Sequence, residues 1–318
     1  MTQEKYIKPH YVKVGTAGWN YDDWVGIFYP KGVSRGFSKL KFYSEFFDCV
    51  EVNSTYYQHL SYKVGEKWLN EVANNQEFEF IIKLFKNFTH GIRETNPQFF
   101  SDKQRVKNFL RPFIESKKLA GMLIQFSEFF LATDKSKSYL FFLVEEFSDI
   151  RLFLELRHNS WYRYSNMEFL KSLNANVVTI DQPVLNNMVG FTTEAAGKVG
   201  YFRLHGRNYD KWMESRKALI NGTTIDDSQR NERYNYLYSS EEIDEIEKKI
   251  RAVKEKCEGI YVVLNNHPLG KAAANALELL KRLRNKEKIK VPSTILQFFP
   301  ELRKFADETE LNSNDILF

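Results

Sequence analysis

The sequence predicts an α/β protein, a single (β/α)8 barrel of the TIM type with long loops at its C-terminal face. Three observations predict it. Eight short apolar runs recur along the 318 residues. Most intervals between them carry helical periodicity. Several runs break off into a charged or amide side chain, and a closed barrel of this kind carries its chemistry at the C-terminal ends of its strands.

The runs read VKVGT from Val12, CVEVNS from Cys49, FEFIIKL from Phe78, GMLIQF from Gly121, RLFLELRH from Arg151, VVTID from Val177, YFRLHG from Tyr201 and YVVLNN from Tyr261. After the first, Gly15 to Pro30 is rich in Gly and aromatics and predicts an ordered loop over the mouth. A helix is expected over Phe37–Phe47, and another from Ser61, a plausible N-cap, to Ala73. Leu84–Phe100 is expected to be a second long loop, followed by helices over Asp102–Lys118, Lys137–Phe147 and Asn166–Leu173. No helix is expected between the sixth and seventh runs. Gly206–Ser240 is the longest irregular stretch, with a helical turn near Trp212. Clear helices close the pattern at Ser240–Cys257 and Lys271–Arg284, and acidic residues at the start of the former suit the helix dipole. Residues 1–290 are assigned to the barrel and 291–318 to a C-terminal tail with a short helix near Pro300–Phe305.

Length and composition agree with this class. A barrel needs about 250 residues. Apolar residues make up 43% of the chain and aromatics 15%, including 27 Phe and 17 Tyr, so a large core is available. A net charge of +5 permits anionic partners without requiring them. Two cysteines, Cys49 and Cys257, match no metal spacing and are too few for a disulfide framework. No apolar stretch is long enough for a membrane span, and the first ten residues hold no apolar leader core, so a cytoplasmic setting is expected. No nucleotide fingerprint, Walker loop or nucleophile elbow is present.

Parity along the strands then sorts the polar residues. On the fifth strand Leu152, Leu154 and Leu156 face the helices, which aims Glu155 and Arg157 at the axis. The same count sends Glu51 and Asn53, Lys83, Gln125, Arg203 and His205, and Asn265 inward. On the sixth strand Val178 and Ile180 are read as outward and Asp181 as inward. Isolated charges are expensive to bury, so this set must be mutually paired, wet or ligand-filled. Three carboxylates (Glu51, Glu155, Asp181) balance three cations (Lys83, Arg157, Arg203). Such cations oppose a metal cluster; a single divalent ion on Glu155, Asp181 and His205 is the one metal arrangement the pattern allows. A small polar or anionic molecule suits the mixture better, with Arg157 and Arg203 as clamps. Glu51, Glu155, Asp181 and His205 are the acid–base candidates. His90, His158 and His267 are expected to make structural hydrogen bonds. Trp19, Tyr21, Trp24, Tyr56, Tyr57, Trp161 and Tyr162 lie in loops on the same side, where they either stack on a ligand or pack the loops.

At these residues the chain resembles the YecE-like family, a family of unknown function with a TIM-barrel fold. The motifs are GTAGWNYDDW, VEVNSTYY, FIIKLFKNFTH, LELRHNSWY, IDQP, FRLHGR and VLNNHPLGKAAANA, from about Val12 to Leu280. One departure is GMLIQFSEFF, where the family has a Pro-Pro pair after the Gln. The resemblance implies a site at Gly18, Trp19, Glu51, Asn53, Lys83, Gln125, Glu155, Arg157, Asp181, Arg203, His205 and Asn265. It implies no settled reaction and no known cofactor.

Three functions compete at this stage. The first is an enzyme acting on a small anionic metabolite. The second is a nucleic-acid-binding or metal-assisted phosphodiester-processing protein, though Lys and Arg are scattered rather than gathered into a track. The third is a non-catalytic binding protein whose polar residues pair among themselves.

Overall fold

The computed structural model describes residues 11–90, 96–185, 187–194, 196–223 and 226–309. Eight parallel strands close a barrel in sequence order. They are β1 (Tyr11–Ala17), β2 (Cys49–Val52), β3 (Glu79–Lys83), β4 (Leu119–Gln125), β5 (Leu152–Glu155), β6 (Asn176–Asp181), β7 (Val199–Leu204) and β8 (Gly259–Leu264). β1 pairs with both β2 and β8, which completes the ring. Gly15 makes the β1–β2 approach feasible, because a Cβ there would sit 1.9 Å from the Cys49 carbonyl oxygen.

Alternation separates two cores. Val50, Val52, Leu152, Leu154, Phe202 and Leu204 face outward into one large aromatic-rich cluster with the helices. Burying each such side chain contributes about 1.5–3 kcal/mol. Inside the ring, Ile81, Leu123, Phe153, Val178, Ile180, Tyr201 and Val263 form a second apolar cluster. Below it, Lys13 pairs with Glu79 at 2.7 Å, and the Tyr261 hydroxyl donates to the same carboxylate at 2.7 Å. Above it, at the C-terminal strand ends, lie the polar residues. The barrel interior is therefore a stack of three tiers with an apolar plug in the middle.

The helices are α1 (Lys39–Tyr43), α2 (Ser54–Tyr57), α3 (Tyr62–Glu71), α4 (Asn87–His90), α5 (Pro97–Glu115), α6 (Asp134–Glu146), α7 (Tyr164–Ser172), α8 (Tyr209–Ile220), α9 (Asp227–Glu232), α10 (Ser240–Lys254) and α11 (Lys271–Leu283). Ser239, not Ser240, caps α10, in a capping box with Glu242 that stabilises the helix by about 1 kcal/mol. The loop expected over Leu84–Phe100 contains α4 and the start of α5, whose Asn96 side chain accepts from the Phe99 N–H at 2.9 Å; its residues 91–95 lie outside the described residues.

Two expectations are corrected. The stretch from Gly206 to Ser240 holds two helices, α8 and α9, rather than a single turn. The tail forms a parallel pair, β9 (Ile289–Pro292) with β10 (Ala306–Thr309). Between them the expected helix is a 3-10 turn over Pro300–Lys304, preceded by another at Ser293–Gln297. Val291, Ile295, Leu296 and Leu302 are buried in the outer core, so the packing does not divide at residue 291. No helix of the described chain is long and apolar enough to cross a membrane.

Candidate functional site

β2 and β7 place Glu51 and Arg203 face to face across the barrel. Arg203 Nε and Nη2 each donate to Glu51 at 2.7 Å, a bidentate pair that needs a planar guanidinium. The Tyr201 hydroxyl also donates to Glu51, and Arg203 Nη1 donates to Glu155 of β5. Gln125 of β4 completes the ring of Arg203 partners, its Oε1 3.2 Å from Nη1. Glu51 and Glu155 have no exposed surface. Burial alone would raise the Glu155 carboxyl, but Arg203 and then Arg157 outweigh it and hold the group well below the usual carboxylate range.

Arg157, just past β5, donates from Nε to Glu155 at 2.6 Å. Its Nη2 lies 3.4 Å from His205 Nε2, and His205 Nδ1 lies 2.9 Å from Asn265 Nδ2. His205 is fully buried, and burial, reinforced by Arg203, lowers it to about 3. It is a neutral imidazole at physiological pH. Glu51, Glu155 and His205 thus form a rigid, ionically balanced floor.

Above this floor opens a cavity of about 630 Å3. Asn53, Lys83, Gln125, Arg157, Arg203 and Asn265 all reach its surface, so six of the residues aimed inward by parity meet in one space. Lys83 ends β3 with its Nζ 4.3 Å from the Tyr56 ring centroid. The Thr55 hydroxyl donates to the Lys83 carbonyl at 2.6 Å and so ties α2 to this strand end. Burial, then the nearby Arg203, lowers the Lys83 ammonium to about 7.

The far wall comes from residues that sequence reasoning missed. Trp212 and Arg216 of α8 line the cavity with Arg233 and Tyr234, which follow α9. The Arg157 and Arg233 guanidiniums lie 5.7 Å and 5.2 Å from the Trp212 ring centroid. Trp212 is 5% exposed, yet its Nε1 has no hydrogen-bond partner among the described residues. The same holds for Arg233 Nε and Asn53 Oδ1. Arg216 is neutralised by Glu128 at 2.9 Å, whereas no described carboxylate pairs with Arg233. The one signal available from sequence was Trp212 itself, a tryptophan set in a charged stretch.

Asp181 is a correction. Val178 aligns with Tyr201 and Ile180 with Arg203, so both face the axis, and Asp181 aligns with the outward Leu204. Its carboxylate accepts from Arg207 Nε at 3.0 Å and from the Tyr238 hydroxyl at 2.6 Å, outside the cavity. The trio Glu155, Asp181 and His205 is therefore not assembled, and no group of three or more potential metal ligands occurs among the described residues. Trp19 packs edge-on against Trp68 of α3 at 5.1 Å, away from the mouth. Gly18 acts indirectly: with φ at +96°, it leaves room for the Tyr21 hydroxyl, which folds back onto the Ala17 carbonyl.

Of the loop aromatics, Tyr21, Tyr56 and Tyr57 line the cavity. Trp24 and Trp161 are buried, their indoles donating to the carbonyls of His267 and Phe130. His158 caps the turn after β5, accepting from the Ser160 N–H at 3.1 Å. His90 and His267 reach the cavity. His267 stacks on Tyr21 at 4.4 Å, and burial lowers it to about 4.

A family model described as "Protein of unknown function DUF72" matches residues 13–296. The chain belongs to the DUF72 family. It is 28% identical over 285 residues to the UPF0759 protein YunF of Bacillus subtilis, covering 86% of this chain and 94% of that one. Among solved structures it is similar to a DUF72 family protein of Thermotoga maritima, with 30% identity, a TM-score of 0.73, and coverage of 86% of this chain and 100% of that one. A DUF72 family protein of Enterococcus faecalis matches at 26% identity and a TM-score of 0.70, over 86% and 95% of the two chains. In this DUF72 chain the fourth loop, which lacks the Pro-Pro pair, is held by Phe126 stacked on Phe130 at 3.9 Å. That stack leaves Phe129, 51% exposed, on the cavity rim.

Proposed function

We propose that this DUF72 barrel is an enzyme whose mouth binds a small anionic organic molecule. The observation that carries the reading is the Trp212 wall. Two guanidiniums approach one indole ring, and among the described residues one of them has no carboxylate partner and the indole N–H has no acceptor. Arg157 is offset by Glu155, but the Arg233 guanidinium beside it is unfavourable until an anion joins it. A buried donor left without an acceptor costs about 1–3 kcal/mol. A phosphate or carboxylate oxygen on this wall relieves both costs.

Reactivity in this reading lies with Lys83 rather than with the carboxylates. Glu51 and Glu155 are sealed within the floor and spent on Arg203 and Arg157. Lys83 faces the cavity and titrates near neutrality.

The test is calorimetric titration with inorganic phosphate, triose and hexose phosphates, and short dicarboxylates. At least one should bind wild type, and Arg233→Ala should weaken it roughly tenfold, the value of one charge-assisted hydrogen bond. Equal affinity in the two proteins, or no binding of any anion, defeats the proposal. Steeply salt-dependent binding of an oligonucleotide instead would favour a nucleic-acid ligand, with the exposed Tyr57 and Phe129 as stacking platforms.

A further inference from the structure

Lys83 differs from the other lysines that approach charged groups in this chain. Lys39, Lys103, Lys107, Lys171, Lys211, Lys249 and Lys290 each pair with a carboxylate. Lys118, also withdrawn from solvent, donates to three backbone carbonyls. Lys83 has neither kind of partner among the described residues. Its amine rests against the Tyr56 ring, 4.3 Å from the centroid, and opens onto the cavity. The nearest strong charges of the opposite sign, Glu51 and Glu155, are already taken by Arg203 and Arg157. An ammonium half-buried beside guanidiniums, with no carboxylate of its own among the described residues, is biased toward shedding its proton.

The strand end fixes the backbone from which this amine projects. Thr55 donates to both the Val52 and Lys83 carbonyls and pins α2 against β3. The Lys86 N–H donates to the Tyr56 carbonyl at 3.0 Å, which closes the same corner from the other side. The amine is held on the wall formed by β2 and β3, in the same cavity as Arg233 and Trp212.

We propose that Lys83 is a nucleophile that forms a Schiff base with an aldehyde or ketone carrying a phosphate or carboxylate. The proposal rests on the anion-binding reading and specifies the substrate class for it. The Lys83 nitrogen lone pair attacks the carbonyl carbon and forms the C–N bond. The carbonyl π pair moves to oxygen, which takes a proton from solvent at the open mouth. The nitrogen then loses a proton to water, giving a carbinolamine. Its hydroxyl takes a second proton from solvent, the nitrogen lone pair expels it as water by breaking the C–O bond, and the resulting iminium returns its remaining N–H proton to solvent. Amine and carbonyl give imine and water, with no oxidant or reductant needed. The lowered ammonium pKa supplies free amine near neutral pH.

The experiment uses the full chain and pyridoxal 5′-phosphate, an aldehyde with a phosphate, followed by borohydride and peptide mapping. Borohydride delivers hydride to the C=N carbon and makes the adduct permanent. At neutral pH Lys83 should be labelled at least ~10-fold faster than the exposed Lys63, as expected for a desolvated amine. Pyridoxal, without the phosphate, should label Lys83 more slowly, and inorganic phosphate should protect it. Lys83→Met should lose the label without a fall in melting temperature at neutral pH. Labelling of Lys83 no faster than Lys63, or equally by pyridoxal, overturns the proposal. If phosphate still binds wild type and Lys83→Met while Lys83 stays unlabelled, the covalent step falls and the anion site stands. If phosphate neither binds nor protects, both fall.

Discussion

Arg203 of β7 holds Glu51 of β2 across the barrel axis through two hydrogen bonds of 2.7 Å each. Both side chains are sealed from solvent, with Arg203 at 1% exposure and Glu51 at 0%. Removing one partner of such a pair leaves the other charged and buried, which costs about 3–5 kcal/mol. Glu51→Gln should lose about 3 kcal/mol in urea denaturation at neutral pH. A loss below about 1 kcal/mol would mean that the pair contributes little beyond packing.

The floor also predicts how stability follows pH. Glu155 is depressed below its ordinary 4.5 and His205 falls from 6.5 to about 3. In both cases the unfolded chain binds the proton more readily, so stability rises with pH. The His205 contribution is complete above about pH 6.5 and is lost as the pH falls toward 3. Glu155 adds a further loss below about 4.5. Lys83, lowered from 10.5 to about 7, has the same sign across pH 7 to 10.5. Denaturation midpoints should therefore climb from acid into mild alkali. His205→Asn should flatten the limb between pH 4 and 6.5, and Lys83→Met the limb above 7. Unchanged slopes in both variants would contradict the assignment.

Trp212→Phe separates binding from stability. The indole N–H is buried without an acceptor among the described residues, so its removal should leave the free protein as stable as wild type or slightly more so. Affinity for the anion found by calorimetry should fall about tenfold. A variant that loses stability but keeps affinity would place the N–H outside the ligand contact.

Asp181→Asn should behave in the opposite way. Its partners are Arg207 and Tyr238, both away from the cavity. A loss of about 2 kcal/mol in stability is expected from weaker charge-assisted hydrogen bonds. Anion affinity, measured by the same titration, should not change.

Strand number, order and most inward positions were legible because a period of two needs only the apolar alternation of each run. The sixth strand escaped this reading because its apolar pair, Val178 and Ile180, faces the inner plug rather than the helices. Nothing in the sequence says whether Val178 and Ile180 meet helices or the inner plug, and only pairing with Tyr201 and Arg203 decides it. The α8 wall was hidden for a related reason. Trp212, Ser215 and Arg216 share the helix face at i, i+3 and i+4, but that face looks into the cavity rather than a core. It is polar, so the usual amphipathic signature is missing. Arg233 carried no signal, since of its two ring partners Tyr234 is simply the next residue and Trp212 is brought to it by α8.

The stacked apolar residues at mid-barrel, among them Ile81, Leu123 and Phe153, have no exposed surface. They shut the route to the opposite end of the ring. Traffic through this protein is consequently one-way-in, same-way-out. In the proposed reading, a molecule resting on Lys83 would have to clear the doorway before its successor arrives, and its product would compete for that doorway on the way out.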